Sequence, residues 1–117
     1  CDCPDTDLVL RMTDVDENGK SVKLADGVID VKYRNGFEAP QYMEPGKVYE
    51  VTIRTTKISN MFLPGHRMRF TITSSAKNFI FPNSNTKDGF NSEKKQKATV
   101  TIHQDGAYQS YVEVVMY

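Results

Sequence analysis

The chain has 117 residues, with 15 basic and 15 acidic side chains and a formal net charge of zero at pH 7. This balance leaves no net electrostatic attraction for nucleic acid or for an anionic membrane surface. No apolar run approaches the ~18 residues of a membrane-spanning helix. No segment is typical of a signal peptide, so any targeting sequence of the parent protein is expected upstream of this chain.

The two cysteines, Cys1 and Cys3, are separated by one residue at the start of the chain. In an extended segment, residues two apart bring their Cβ atoms poorly to the spacing that a disulfide needs. Two thiols are also too few for a structural zinc site, which uses four ligands. We therefore expect free thiols and no metal or cofactor; a disulfide to another chain or to an upstream cysteine is the alternative. The two cysteines therefore do not indicate the redox compartment in which the protein works.

Alternating apolar and polar side chains predict the first strand over residues 7–15. The segment Asp16–Gly19 is rich in turn residues, and a short strand over 21–24 follows it. A second turn at Asp26-Gly27 leads to a third strand over 28–34. These elements predict a β-meander.

Residues 35–47 contain turn signals and two prolines and predict a crossing loop. Residues 48–57 alternate cleanly and predict the longest strand. After the Pro64-Gly65 turn, Met68, Phe70 and Ile72 predict a strand with these side chains on its core face and Arg67 and Arg69 on the other. That strand runs into a segment rich in Ser, Asn and Pro.

Residues 83–97 form a long polar segment, and loops of this length usually belong to a site or an interface. Two more strands are predicted over 98–103 and 111–116. About seven short strands without a helical period are typical of a sandwich or barrel. The predicted core consists of Leu8, Leu10, Met12, Val31, Tyr49, Val51, Ile53, Met68, Phe70, Ile72, Val100, Ile102, Val112 and Val114.

Several motifs resemble one known family over nearly the whole chain. They are Asp7, Asp14-Val15, Gly19, Leu24–Gly27, Tyr33-Arg34, Pro45-Gly46, Gly65–Arg69, Ser74-Ser75, Pro82–Thr86 and Ser110–Glu113. The set is similar to the C-terminal domain of X-prolyl dipeptidyl-peptidases, cocaine esterase and α-amino-acid ester hydrolases. The sequence departs from the family pattern at Ala76–Phe81 and at Val114-Val115.

The resemblance implies an all-β fold, an antiparallel jelly-roll β-sandwich similar to galactose-binding domains. It also implies that the catalytic Ser, Asp and His lie in a separate α/β-hydrolase domain. Residues 1–117 are then a single accessory domain of a serine hydrolase, an X-Pro dipeptidyl-peptidase or acyl esterase, and this chain is not itself an enzyme. The family sandwich has strands before the motif at Asp5–Asp7, so we expect a fragment lacking its first strands.

Five residues are candidates for an interdomain or structural role: His66, Arg67, Arg69, Asn83 and Asn85. His66 has no glycine-flanked nucleophilic serine to activate, so we expect it to form a structural hydrogen bond. Guanidinium groups suit paired contacts with carboxylates, so Arg67 and Arg69 are expected to pair with acids such as Asp14 and Glu50 or to contact the hydrolase domain.

Three further readings follow from single patterns. Asp14–Gly19 matches the start of a calcium-binding loop, but Ala25 occupies the position of the essential glutamate, which favours a plain hairpin turn. Tyr33, Tyr42, Tyr108, Tyr111 and Tyr117 could form a stacking platform of a stand-alone carbohydrate-binding module, the alternative function. An uncovered sheet edge would favour a homodimer of the isolated chain.

Overall fold

The computed structural model describes residues 1–116, and its regular structure is almost entirely β. Three strands are present: β1 (Asp7–Val15), β2 (Ser21–Asp30) and β3 (Arg67–Thr73). A short 3-10 helix, Val31–Tyr33, follows β2 directly. No helix in the described part of the chain has the length and apolar character needed to cross a membrane.

The three strands form one antiparallel sheet in the order β2-β1-β3. Leu10 pairs with Ile72 and Met12 with Phe70, so Leu8, Leu10, Met12, Met68, Phe70 and Ile72 share what we call the inner face. The outer face carries Val9, Arg11 and Val15 of β1 with Arg67 and Arg69 of β3. The predicted sides of β1 and β3 are therefore confirmed.

The predicted turn at Asp26-Gly27 is wrong, because β2 runs through it as one strand. A Cβ atom on Gly27 would lie only 2.5 Å from the carbonyl oxygen of Arg54. Glycine is needed here for the close approach of the neighbouring backbone rather than for a reversal. The turn at 16–19 is confirmed, and the carboxylate of Asp16 accepts hydrogen bonds from the backbone of Asn18 and Lys20.

The predicted strands over 48–57, 98–103 and 111–116 are absent from the ladders within residues 1–116. A strand exists only where a neighbour accepts and donates its backbone hydrogen bonds. Segment 48–57 has one such bond to the sheet, from the Thr56 amide to the Asp26 carbonyl (3.2 Å). The alternation within it still holds, since Tyr49, Val51 and Ile53 pack against the core.

The core lies over the part of the inner face formed by β1 and β2. It centres on Cys3, Leu8, Val31 and Met43. Within the predicted core, Leu8, Met12 and Val31 are buried, whereas Met68, Ile72, Ile102, Val112 and Val114 are exposed. The prediction is wrong for these five residues because, within residues 1–116, no second layer covers the β3 end of the inner face or the segment after 101.

Candidate functional site

A buried carboxylate organises the N-terminal segment. The side chain of Asp5 is fully buried and accepts hydrogen bonds from the Lys32 amide (3.2 Å), from the Lys32 ammonium (2.8 Å) and from the side-chain amide of Asn83 (3.1 Å). Lys32 reaches it because the 3-10 helix turns the chain back directly after β2. Asp5 therefore joins three distant parts of the sequence.

Two further aspartates stand beside this carboxylate. Asp7 and Asp30 lie directly opposite each other on β1 and β2, so their side chains share one face of the sheet. Asp7 accepts a hydrogen bond from Asn83 (2.9 Å), and Asp30 pairs with the Lys32 ammonium. The Oδ1 atom of Asp30 is buried without a hydrogen-bond partner among the described residues. One ammonium thus faces three carboxylates.

The electrostatics of this carboxylate cluster follow from that imbalance. Burial raises the pKa of Asp7 above its ordinary value. Burial, reinforced by the neighbouring Asp5, raises the pKa of Asp30 to about 6 although Lys32 opposes the shift. Burial acts to lower the pKa of Lys32, but its hydrogen bonds to Asp30 and Asp5 raise it above its ordinary value. Lys32 stays charged, while Asp7 and Asp30 are held in an environment that disfavours their charge.

Asp7 and Asp30 of the carboxylate cluster line an open groove of about 570 Å³ on the outer face. Its lining includes the charged residues Asp7, Asp30 and Lys32, together with Tyr33, Asn83 and the phenylalanines at 79, 81 and 90. The rings of Phe81 and Phe90 stack with their centroids 5.7 Å apart, yet the two residues remain 76% and 58% exposed. We call this feature the aromatic groove.

The loop that carries the aromatic rim is held by asparagines. The side-chain oxygen of Asn83 accepts a hydrogen bond from the Asn85 amide (2.8 Å), and the side chain of Asn85 donates to the Gln96 carbonyl (2.9 Å). Asn85 has a φ of 59°, which asparagine tolerates better than most residues. Asn83 and Asn85 therefore position the rim, and Asn83 also connects it to the carboxylate cluster.

The other three candidate residues lie at the start of β3, with His66 directly before the strand and Arg67 and Arg69 within it. The Nδ1 atom of His66 is 2.8 Å from a carboxylate oxygen of Asp14, and both side chains are half-buried. Arg67 and Arg69 are exposed on the outer face. Neither forms an ion pair with Asp14, Glu50 or any other described acid, so the pairing expected from the sequence is not found.

The expectation of free thiols is wrong. Cys1 and Cys3 form a disulfide with their Cα atoms 5.4 Å apart, a separation within the range that disulfides adopt. The segment is held by two backbone hydrogen bonds. The Cys1 carbonyl accepts one from the Gly46 amide, and the Pro4 carbonyl accepts one from the Met43 amide. Cys1, Asp2 and Cys3 place metal-type ligand atoms close together, but the disulfide takes up both sulfurs.

The described tyrosines do not stack on one another. The ring of Tyr33 contacts Phe37 and that of Tyr108 contacts His103, while the hydroxyl of Tyr42 donates to the Lys87 carbonyl. Tyr111 is exposed, and Tyr117 lies outside the described residues. Of these tyrosines, Tyr33 lines the aromatic groove, where the stacked ring pair is formed by Phe81 and Phe90.

Sequence patterns alone missed most of this site. Among its members only Asn83 was a candidate, whereas Asp5, Lys32 and the two stacked phenylalanines were not. Asp5 lies just before β1, and Asp7 is its first residue. Asp30 is the last residue of β2, and Lys32 follows it two residues later. The sequence signal that could have found this site is the presence of acids at the start of β1 and at the end of β2. An antiparallel pair brings these two strand ends together.

The sequence of this chain is similar to that of known proteins. A family described as the X-Pro dipeptidyl-peptidase C-terminal non-catalytic domain matches residues 1–113. Cocaine esterase from Rhodococcus sp. (strain MB1 Bresler) is 33% identical over 111 residues, which cover 92% of this chain and 19% of the relative. The chain thus spans about a fifth of the length of the curated relative it matches. The match confirms the resemblance drawn from the motifs, and the chain belongs to the family of X-Pro dipeptidyl-peptidase C-terminal non-catalytic domains.

Proposed function

We propose that residues 1–117 are an accessory domain of a larger serine hydrolase, an X-Pro dipeptidyl-peptidase or an acyl esterase, and that they brace its α/β-hydrolase domain. The family is non-catalytic by its description. Among the described residues, neither histidine ring forms a hydrogen bond with a serine hydroxyl. The chemistry is therefore assigned to the rest of the parent chain.

The observation that carries this proposal is the aromatic groove. Solvent-exposed aromatic side chains grouped beside charged groups are typical of interaction surfaces. Phe79, Phe81 and Phe90 are all at least half exposed, and the carboxylate cluster lies beside them. A surface of this kind suits a domain that packs against a larger neighbour.

The exposed arginines lie on the same face of the sheet, toward the other end of β1, since Arg67 pairs with Val15 and Arg69 with Thr13. Arg67 and Arg69 point to the outer face, the face on which Asp7 and Asp30 stand. We assign them to contacts with acidic or carbonyl groups of the hydrolase domain, because guanidinium groups form directional hydrogen bonds with such partners. His66 and Asn85 are assigned structural roles through Asp14 and the Gln96 carbonyl.

The complete fold that we propose is a jelly-roll sandwich. Segments 48–57, 98–103 and 111–116 keep the alternating pattern of strands although they have no ladder partner within residues 1–116. Strands contributed by the rest of the parent chain would supply those partners and cover the exposed side chains of Met68 and Ile72.

The coding sequence upstream of this domain provides the first test. It should encode a nucleophilic serine in a glycine-flanked elbow, followed by an aspartate and a histidine. The second test deletes the domain from that parent enzyme and follows inactivation on heating. We expect the deleted enzyme to lose activity at a lower temperature; equal heat resistance, or an upstream sequence without a hydrolase, would refute the bracing role.

Carbohydrate binding is the second candidate function, and the Phe81–Phe90 stack beside polar Asn83 is the observation that favours it. Sugar rings pack on flat aromatic faces while neighbouring amides and carboxylates bind their hydroxyls. Titration with oligosaccharides tests it directly. The absence of saturable binding at millimolar concentration would eliminate this function.

A further inference from the structure

The carboxylate cluster contains an arrangement that is unfavourable in the domain alone. Asp7 and Asp30 occupy directly opposed positions on neighbouring antiparallel strands. Like charges in this arrangement repel each other and destabilise the strand pair. Lys32 is the only ammonium that pairs with the cluster among the described residues, and it is shared between Asp5 and Asp30.

Hydrogen bonds in the domain do not fully compensate these charges. Asp7 accepts one hydrogen bond from the neutral amide of Asn83, and Oδ1 of Asp30 has no partner in the described residues. Asp5 is buried and has three donors, so the shortage falls on the two aspartates that line the groove. The lining of the groove therefore carries one more negative than positive charge.

The rim of the groove defines what can supply a compensating positive charge. Phe81 and Phe90 present exposed apolar ring surface next to the two aspartates. A ligand that fits both parts has an apolar stem and a cationic end. Arginine suits the site better than lysine, because its planar guanidinium can bridge two carboxylates and can also lie over an aromatic ring.

We propose that the aromatic groove docks an arginine side chain of the parent's hydrolase domain, with its guanidinium between Asp7 and Asp30 and its stem along Phe81 and Phe90. This inference rests on the proposed bracing function and names the partner group at that interface. Charge complementarity carries it, since two aspartates, Asp7 and Asp30, line the groove against one lysine, Lys32, whose ammonium is shared with the buried Asp5.

The test uses the intact parent enzyme and an arginine-specific dicarbonyl reagent such as phenylglyoxal. Mass spectrometry then measures the modification rate of each arginine. In the wild type, the docked arginine should be protected. In Phe81→Ala and in Asp7→Asn/Asp30→Asn, the reactivity of one arginine outside residues 1–117 should rise about tenfold, because the first removes the ring that covers its stem and the second removes the carboxylates that bind its guanidinium.

Matched controls separate docking from general loosening. Tyr111→Ala removes an aromatic ring that is as exposed as Phe81 and does not line the groove, and Glu93→Gln removes an exposed acid elsewhere. Both should leave the arginine protected. Phe81 is 76% exposed, so its truncation should leave the fold intact even where the double aspartate variant unfolds.

The outcomes distinguish this inference from the proposed function. If deleting the domain lowers heat resistance but no arginine gains reactivity in Phe81→Ala, the domain braces the hydrolase and the arginine assignment is wrong. If deletion has no effect, the bracing function fails first. Oligosaccharide binding that Phe81→Ala abolishes would also overturn the arginine assignment, because the groove would then be a sugar site.

Discussion

The two ends of the inner face differ although their sequence patterns are alike. At the end formed by β1 and β2, Leu8 and Ile29 lie under the N-terminal segment, Met43 and residues 49–53. At the β3 end, Met68 and Ile72 have the same alternation but remain 42% and 40% exposed. Alternation thus specifies which side of a strand a residue faces, and a second layer decides whether it is buried.

The N-terminal segment produces most of this difference. Its backbone forms three hydrogen bonds to other parts of the chain. The Thr6 carbonyl accepts one from the Val31 amide and the Pro4 carbonyl one from the Met43 amide, and the Asp2 amide donates one to the Thr99 carbonyl. These bonds bring separate loops together over Leu8. No comparable segment within residues 1–116 crosses the β3 end.

The largest expected effect tests burial directly. Leu8→Ala should lower the free energy of unfolding by about 2–5 kcal/mol, because it removes a buried side chain and leaves a cavity. Ile72→Ala, on the same face, should cost less than about 1 kcal/mol. Denaturant titration of both variants measures the comparison, and equal losses would show that the β3 end is covered in solution.

Gly27 tests how closely the covering segment approaches β2. Gly27→Ala should destabilise by about 1–3 kcal/mol, because the new methyl group would meet the Arg54 carbonyl and force the backbone to shift. Gly106→Ala is the matched control, since nothing lies within 4 Å of the added carbon. Thermal melting of the two variants checks the prediction; an unchanged melting temperature for Gly27→Ala would contradict the close approach.

The carboxylate cluster predicts a dependence of stability on pH. Burial raises the pKa of Asp30 to about 6 in the folded state, above its ordinary 3.8. The folded state therefore holds this proton more tightly than the unfolded state, and the contribution of Asp30 to stability falls as pH rises from about 4 to 6. Urea titrations across this range should show wild type losing stability relative to Asp30→Asn. A constant difference would mean that Asp30 is not titrating there.

The smallest expected effect concerns self-association. The outer edge of β3 has no ladder partner within residues 1–116, and Met68 and Ile72 are exposed beside it. Unpaired strand edges with apolar side chains favour pairing with another chain. We predict a weak homodimer of the isolated 117-residue chain, reduced by Ile72→Lys. Light scattering that gives 13.3 kDa throughout the micromolar range would refute it.

Local sequence was sufficient for β1, for the 16–19 turn and for the two sides of β3, because these depend on side-chain alternation and turn chemistry between near neighbours. The family motif over Pro82–Thr86 placed Asn83 among the candidates. Local sequence misassigned Gly27 as a turn, since glycine permits both a reversal and a close backbone contact, and local sequence does not distinguish them.

The sequence by itself determined a β-rich chain, its family motifs and the faces of its strands. Only the tertiary structure decided which faces are covered, that Cys1 joins Cys3, and that Asp5, Asp7, Asp30, Lys32 and Asn83 meet. The physical reason is distance along the chain. Asn83 lies 78 residues from Asp5, and a contact of that separation depends on how strands and loops pack rather than on any local preference.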